Sequence, residues 1–150
     1  MRLLLDTTSL LDFVGNRPSA QENWKKLNAM QLTQCVELWA SSETINQLRS
    51  RLIELVPEEE ANNLLIHLLD FVNMCSLDVS DVITALQHKR LSYHEALDES
   101  CARKLKASYL ITNAGPSPLT RGVKRVSLDE FFSDLEETQG ISFALIDLNT

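Results

Sequence analysis

Arg2-Leu3-Leu4-Leu5-Asp6 is the stretch whose reading decides the fold. Three consecutive leucines lack the period-two alternation of a half-solvated strand. They predict a short strand buried on both faces, as strands of parallel sheets are, with its carboxyl end surfacing at Asp6. Leu10, Leu11 and Val14 then keep helical spacing until Gly15-Asn16-Arg17-Pro18 breaks it. A helix over about 20–30, capped by Ser19, carries Trp24, Leu27 and Met30 on one stripe. Cys35–Ala40 reads as a second strand. A helix with Ile45, Leu48, Leu52 and Leu55 on one face follows and stops before Pro57. Glu58-Glu59-Glu60 opens the next helix, where acids suit the dipole.

The same alternation runs through the second half. A short strand near Met74–Leu77 precedes a helix opened by Ser80-Asp81, and a helix over 93–106 turns Leu97, Cys101 and Leu105 inward. Tyr109–Thr112 is a fourth strand, 113–118 a loop, Val123–Val126 a fifth strand, and Leu128–Phe132 begins a short last helix. Strands alternating with helices of this length predict an α/β fold, a three-layer α/β/α sandwich around a mainly parallel sheet of about five strands. One domain over residues 1–134 is expected; the apolar tail within 135–150 suits an edge strand or a partner contact equally.

Composition narrows the function classes. No window approaches the roughly 18 apolar residues of a membrane span, and Asp6 comes too early for a signal-peptide apolar region. Three widely spaced cysteines, Cys35, Cys75 and Cys101, then read as reduced, buried thiols in a cytoplasm. The formal net charge is −7, but the charges are segregated. Residues 101–126 hold six bases and no acid, whereas residues 57–100 hold nine acids and two bases. Arg121, Lys124 and Arg125 follow the loop that leaves the sheet after the fourth strand, where they are expected to supply a surface for a nucleic-acid backbone. Arg103, Lys104 and Lys106 lie at a helix end, where the dipole alone explains them.

In an open parallel sheet, sites form at the carboxyl ends of strands. Asp6 ends the first strand, Glu43 opens the helix after the second, and Glu95 opens the helix before the fourth. Converging carboxylates repel one another unless a cation neutralises them, and oxygen-only ligands favour magnesium or manganese over zinc. Acids at helix beginnings also serve merely as partners of the dipole. Other chemistries lack their residues. There is no phosphate-binding or dinucleotide glycine pattern and no G-x-S-x-G elbow. His67, His88 and His94 have no metal-ligand spacing. A phosphorylated aspartate of the haloacid-dehalogenase type wants a second Asp two residues on, where Thr8 stands.

Taken in order, these segments resemble the PIN-domain family, the fold of VapC-like toxin ribonucleases. Asp6-Thr7-Thr8-Ser9-Leu10-Leu11 is similar to the family's D-T-N-x-L-L, and Ser42-Glu43-Thr44-Ile45 to its acid opening a helix after strand two. Glu95-Ala96-Leu97 through Tyr109-Leu110-Ile111-Thr112 matches its D-A-L-…-Y-L-V-T pattern without a gap, and Ser127-Leu128-Asp129-Glu130-Phe131 its close. The resemblance implies a metal-dependent ribonuclease of single-stranded RNA, of a kind often found as a toxin held by an antitoxin protein and commonly a homodimer. Asp6, Glu43 and Glu95 would hold Mg²⁺ or Mn²⁺ and carry catalysis, with Thr7 and Thr112 in support. Three departures stand out: Thr8 replaces Asn, Glu95 replaces Asp, and Ala114 occupies the last acidic or amide position. Asn113 and Asp98 are the nearest substitutes, although on an ideal pattern neither points the same way. The competing expectation is a degenerate PIN-like module that binds RNA or a protein without cutting.

Overall fold

The computed structural model describes residues 1–15, 17–115 and 122–141. The first half runs β1 (Arg2–Leu5), α1 (Thr7–Val14), α2 (Pro18–Leu32), β2 (Glu37–Ser41), α3 (Ser42–Leu55) and α4 (Glu58–Leu68). The second runs β3 (Asn73–Cys75), α5 (Val79–Gln87), α6 (Tyr93–Leu105), β4 (Tyr109–Ile111), β5 (Lys124–Val126) and α7 (Leu128–Gln139). The five strands form one sheet in the order β3-β2-β1-β4-β5, every pair parallel.

β1 lies at the centre because it is the most apolar strand. Leu3, Leu4 and Leu5 are all fully buried, as a strand covered on both faces requires. Leu3 and Leu5 pack with Leu38, Ala40, Tyr109 and Ile111 against residues of α1, α2, α3, α4 and α7. Leu4 and Leu110 turn to the other face, against Cys101, Ala102 and Leu105 of α6. A smaller cluster joins Ala85 of α5 to Ala96 and Leu97 of α6. The three layers expected from the sequence are therefore present.

Local chemistry adjusts several boundaries. α2 begins at Pro18, whose fixed φ suits the first helical position, with Arg17 rather than Ser19 as the N-cap residue. α7 runs twelve residues, past residue 134, and ends on Gly140 in the left-handed conformation (φ 64°). Cys35 is exposed, not buried, because it sits in the turn after the left-handed Gln34 (φ 60°); Cys75 and Cys101 are buried. The tail from residue 142 onward lies outside the described residues, as does Arg121. Among the described residues, no helix is long and apolar enough to cross a membrane.

Candidate active site

Strand connections run outward from β1 to β2 and β3, then return across the sheet to β4. The switch point thus lies between β1 and β4, where open α/β sheets place their crevice. Asp6 stands at this point. Its backbone N–H donates to the Ile111 carbonyl (3.1 Å), extending the β1–β4 pairing by one residue. Its side chain caps α1: Oδ1 accepts from Ser9 N–H (3.0 Å) and from Thr8 Oγ1 (2.7 Å), and Thr112 Oγ1 donates to Oδ2. Burial and three donors fix this carboxylate in one orientation.

The second acid at the edge is Asp98, one turn into α6. Ser41 Oγ, at the end of β2, and Thr44 Oγ1, in α3, each donate to its Oδ1 at 3.2 Å. Burial first, and the neighbouring Asp6 second, push the Asp98 carboxyl up to about 7, against the opposing pull of the two hydroxyls and Arg125. Asp6 and Asp98 therefore form a pair with too little positive charge around it.

Glu43 and Glu95 reach the same edge but are engaged at its rim. Glu95 is the third residue of a capping box: Ser92 N–H donates to its Oε2 (3.2 Å), and its own N–H donates to Ser92 Oγ (3.3 Å). Its Oε1 lies 3.7 Å from Arg125 Nη2. Glu43 Oε1 lies 3.4 Å from His94 Nδ1. Among the described residues, no group of three or more His, Cys, Asp or Glu side chains comes together closely enough to hold an ion.

The remaining expected residues divide. Thr112 Oγ1 donates to Asp6 Oδ2 and so orients that carboxylate. Thr7 points elsewhere, donating to Gln47 Oε1 (2.8 Å) and tying α1 to α3. Asn113 does not replace the missing acid at 114, because its side chain donates to Asp12 while its backbone N–H donates to Thr8 Oγ1 (2.9 Å). Thr8 thus links Asp6 to the segment after β4. Lys124 and Arg125 do not share a surface, since successive strand residues face opposite ways. Lys124 meets Asp134 of α7 at 3.2 Å, whereas Arg125 turns inward beside Glu95. Lys104 is bound to Asp81 (2.6 Å) and the Ser76 carbonyl (2.8 Å), and Arg103 to Glu99.

Asp98, one helical turn beyond Glu95, is the acid of α6 that stands beside Asp6. A readable signal existed: Ser92-Tyr93-His94-Glu95 is a capping-box pattern, which turns the glutamate back onto its own helix. The donor chemistry suits a hard divalent cation. The pair is all oxygen, Arg125 offsets its charge only in part, and Asp98 Oδ2 has no hydrogen-bond donor among the described residues.

No protein-family model matches the sequence, and no curated protein matches it. Solved structures do match the fold. VapBC2 from Rickettsia felis, bound to a DNA fragment from its promoter, aligns at TM-score 0.59 and 15% identity over 75% of this chain and 88% of that one. The sarcin-ricin-loop-cleaving toxin VapC20 of Mycobacterium tuberculosis aligns at 0.59 and 14% identity, over 75% and 90%. VapBC-1 of nontypeable Haemophilus influenzae aligns at 0.58 and 16% identity, over 86% and 99%. The chain has the fold of these VapC toxins, which is the PIN fold.

Proposed function

We propose that the chain is a metal-dependent ribonuclease acting on single-stranded RNA, and the toxin half of a toxin–antitoxin pair. The observation that carries the reading is the under-neutralised Asp6–Asp98 pair at the switch point of a fold shared with VapC toxins. Asp6 and Asp98 would hold Mg²⁺ or Mn²⁺, while Glu43 and Glu95 stand at the rim, engaged by His94 and by Ser92 and Arg125. Bound there, the ion supplies Lewis acidity toward water and phosphate. Thr8, Ser9 and Thr112 fix the Asp6 oxygens, so that little reorganisation is needed during reaction. Ser41 and Thr44 do the same for Asp98. The likeness to VapBC pairs supports a small antitoxin protein as partner, and a second copy of this chain belongs to the same reading.

The test is cleavage of a labelled single-stranded RNA with manganese, magnesium or chelator. Cleavage should appear with either metal and vanish in chelator. Asp6→Asn and Asp98→Asn should each lower the rate by more than about a hundredfold, beyond what outer-shell partners typically cost. A second reading, binding without cleavage, is favoured by the lack of a third acid within reach of the pair among the described residues. Wild type and Ala114→Asp both inert in millimolar manganese would decide for it.

A further inference from the structure

The alternation that turns Lys124 outward buries Arg125. Its side chain is only 8% exposed, and the nearest carboxylate, Glu95 Oε1, stands 3.7 Å from Nη2, too far for a hydrogen bond. Nε and Nη1 are buried with no hydrogen-bond partner among the described residues. A guanidinium stays charged at every accessible pH and carries five donors in a planar fork. Burying such donors unpaired is costly, so a native structure that does so calls for a specific reason.

Arg125 borders a cavity of about 430 Å³ between the end of β4 and the start of α7. Thr112, Asn113 and Ser127 line it too, with Glu130. Ser127 is the N-cap of the twelve-residue α7, so the first N–H groups of that helix add the positive end of a dipole. A buried cation and a helix N-terminus therefore border one cavity. Glu130 opposes them, but it is exposed and screened by solvent, and Ser127 Oγ donates to its Oε1 (3.2 Å). Thr112 belongs both to this cavity and to the acidic pair, through its bond to Asp6.

We propose that this cavity seats a phosphate group of single-stranded RNA, gripped by the Arg125 fork on one side and the α7 N-terminus on the other. The choice of polymer rests on the ribonuclease reading; the anionic chemistry of the seat does not. A planar fork matches two non-bridging phosphate oxygens at once. The contact ignores the base, so it positions the strand beside Asp6 and Asp98 without reading sequence.

The experiment is fluorescence anisotropy of a labelled single-stranded RNA in chelator, over a salt series. It compares wild type with Arg125→Gln and Ser127→Asp. Ser127→Asp keeps an N-cap acceptor while adding negative charge to the cavity, so it carries the test should Arg125→Gln fail to fold. The expected result is binding weakened about tenfold in each variant. Arg125→Gln should also flatten the log–log salt dependence by about 0.7, one phosphate contact. Unchanged affinity and slope in the folded variants would overturn the seat. So would an inorganic-phosphate rise in the wild-type melting temperature that Arg125→Gln abolishes while RNA binding stays the same, since the site would then take free phosphate. Cleavage plays no part in the readout. An inert wild type would sink the ribonuclease reading and leave the seat standing.

Discussion

Asp98 is a carboxyl held between two hydroxyl donors and another carboxylate, and its elevation to about 7 sets a pH dependence. In the unfolded chain it titrates near its ordinary value, about 4. Between those values the native state holds a proton that the unfolded state has released. Its contribution is thus fully present at low pH and is lost as pH rises through about 7, at up to roughly 1.4 kcal/mol per unit. Asp98→Asn, which mimics the protonated carboxyl, should lose less stability than wild type between about pH 4 and 7.5 in paired urea melts, an interval that covers both the unfolded and the native titration. Manganese at the higher pH should raise the melting temperature of wild type and not of Asp98→Asn. A parallel pH response in the two proteins would mean that Asp98 titrates normally. Residue identity singled out Asp6, because a carboxylate closing a buried strand has few other uses, whereas Thr112 came only through the family resemblance. Identity did not separate Asp98 from Glu95, since both lie in the first turns of one helix. Which of them faces the sheet depends on the capping box and on hydroxyls from β2 and α3 that only the packed structure brings near.

At the scale of elements, the site depends on how α6 and α7 are anchored. Ser92 caps α6 and so sets the position of both Glu95 and Asp98. Ser92→Ala should cost about 1 kcal/mol in urea denaturation. It should also lower any metal-dependent activity, because the helix start frays beside the acids. α7 is fastened by Phe131, fully buried with its ring 5.0 Å from that of Tyr109, edge to face. Phe131→Ala should cost about 3–5 kcal/mol, the usual range for emptying a buried aromatic site. The Tyr109 hydroxyl also donates to Asp134 on α7, and that bond, followed by Lys124, holds the Asp134 carboxyl below its ordinary range. A lowered carboxyl contributes stability above its unfolded pKa and loses it as pH falls. Tyr109→Phe should therefore be less stable than wild type at neutral pH, with the gap closing on acidification. Element types and order were legible because hydrophobic periodicity and Pro or Gly breaks agree along the chain. The ends of α2 and α7 were not, since Pro18 and Gly140 decide them by backbone conformation rather than by pattern.

For the whole molecule, burial separates the thiols. Cys101 is pushed above the ordinary thiol range by burial and then by the adjacent Cys75, whereas Cys35 is exposed in its turn. A thiol-reactive chromogen should label Cys35 rapidly in the native protein and reach Cys75 and Cys101 only on unfolding. Fast labelling of all three without denaturant would mean that the face between β3 and α6 opens on its own. The sheet order was not legible: strand count and parallel direction follow from the alternation of strands and helices, but the return from β3 to β4 follows from which strands tolerate an edge.

That return has a consequence in time. Asp6 and the Thr112 that orients it are 106 residues apart in sequence. A ribosome adding roughly 5–20 residues per second needs about 5–20 seconds to join them. Until then β1 can pair only with β2. Asp6 waits without its Thr112 donor or β4 neighbour, and Asp98 arrives only shortly before them. The carboxylate edge is therefore one of the last features a nascent chain completes, and a chain stalled before β4 carries its central strand but no assembled site.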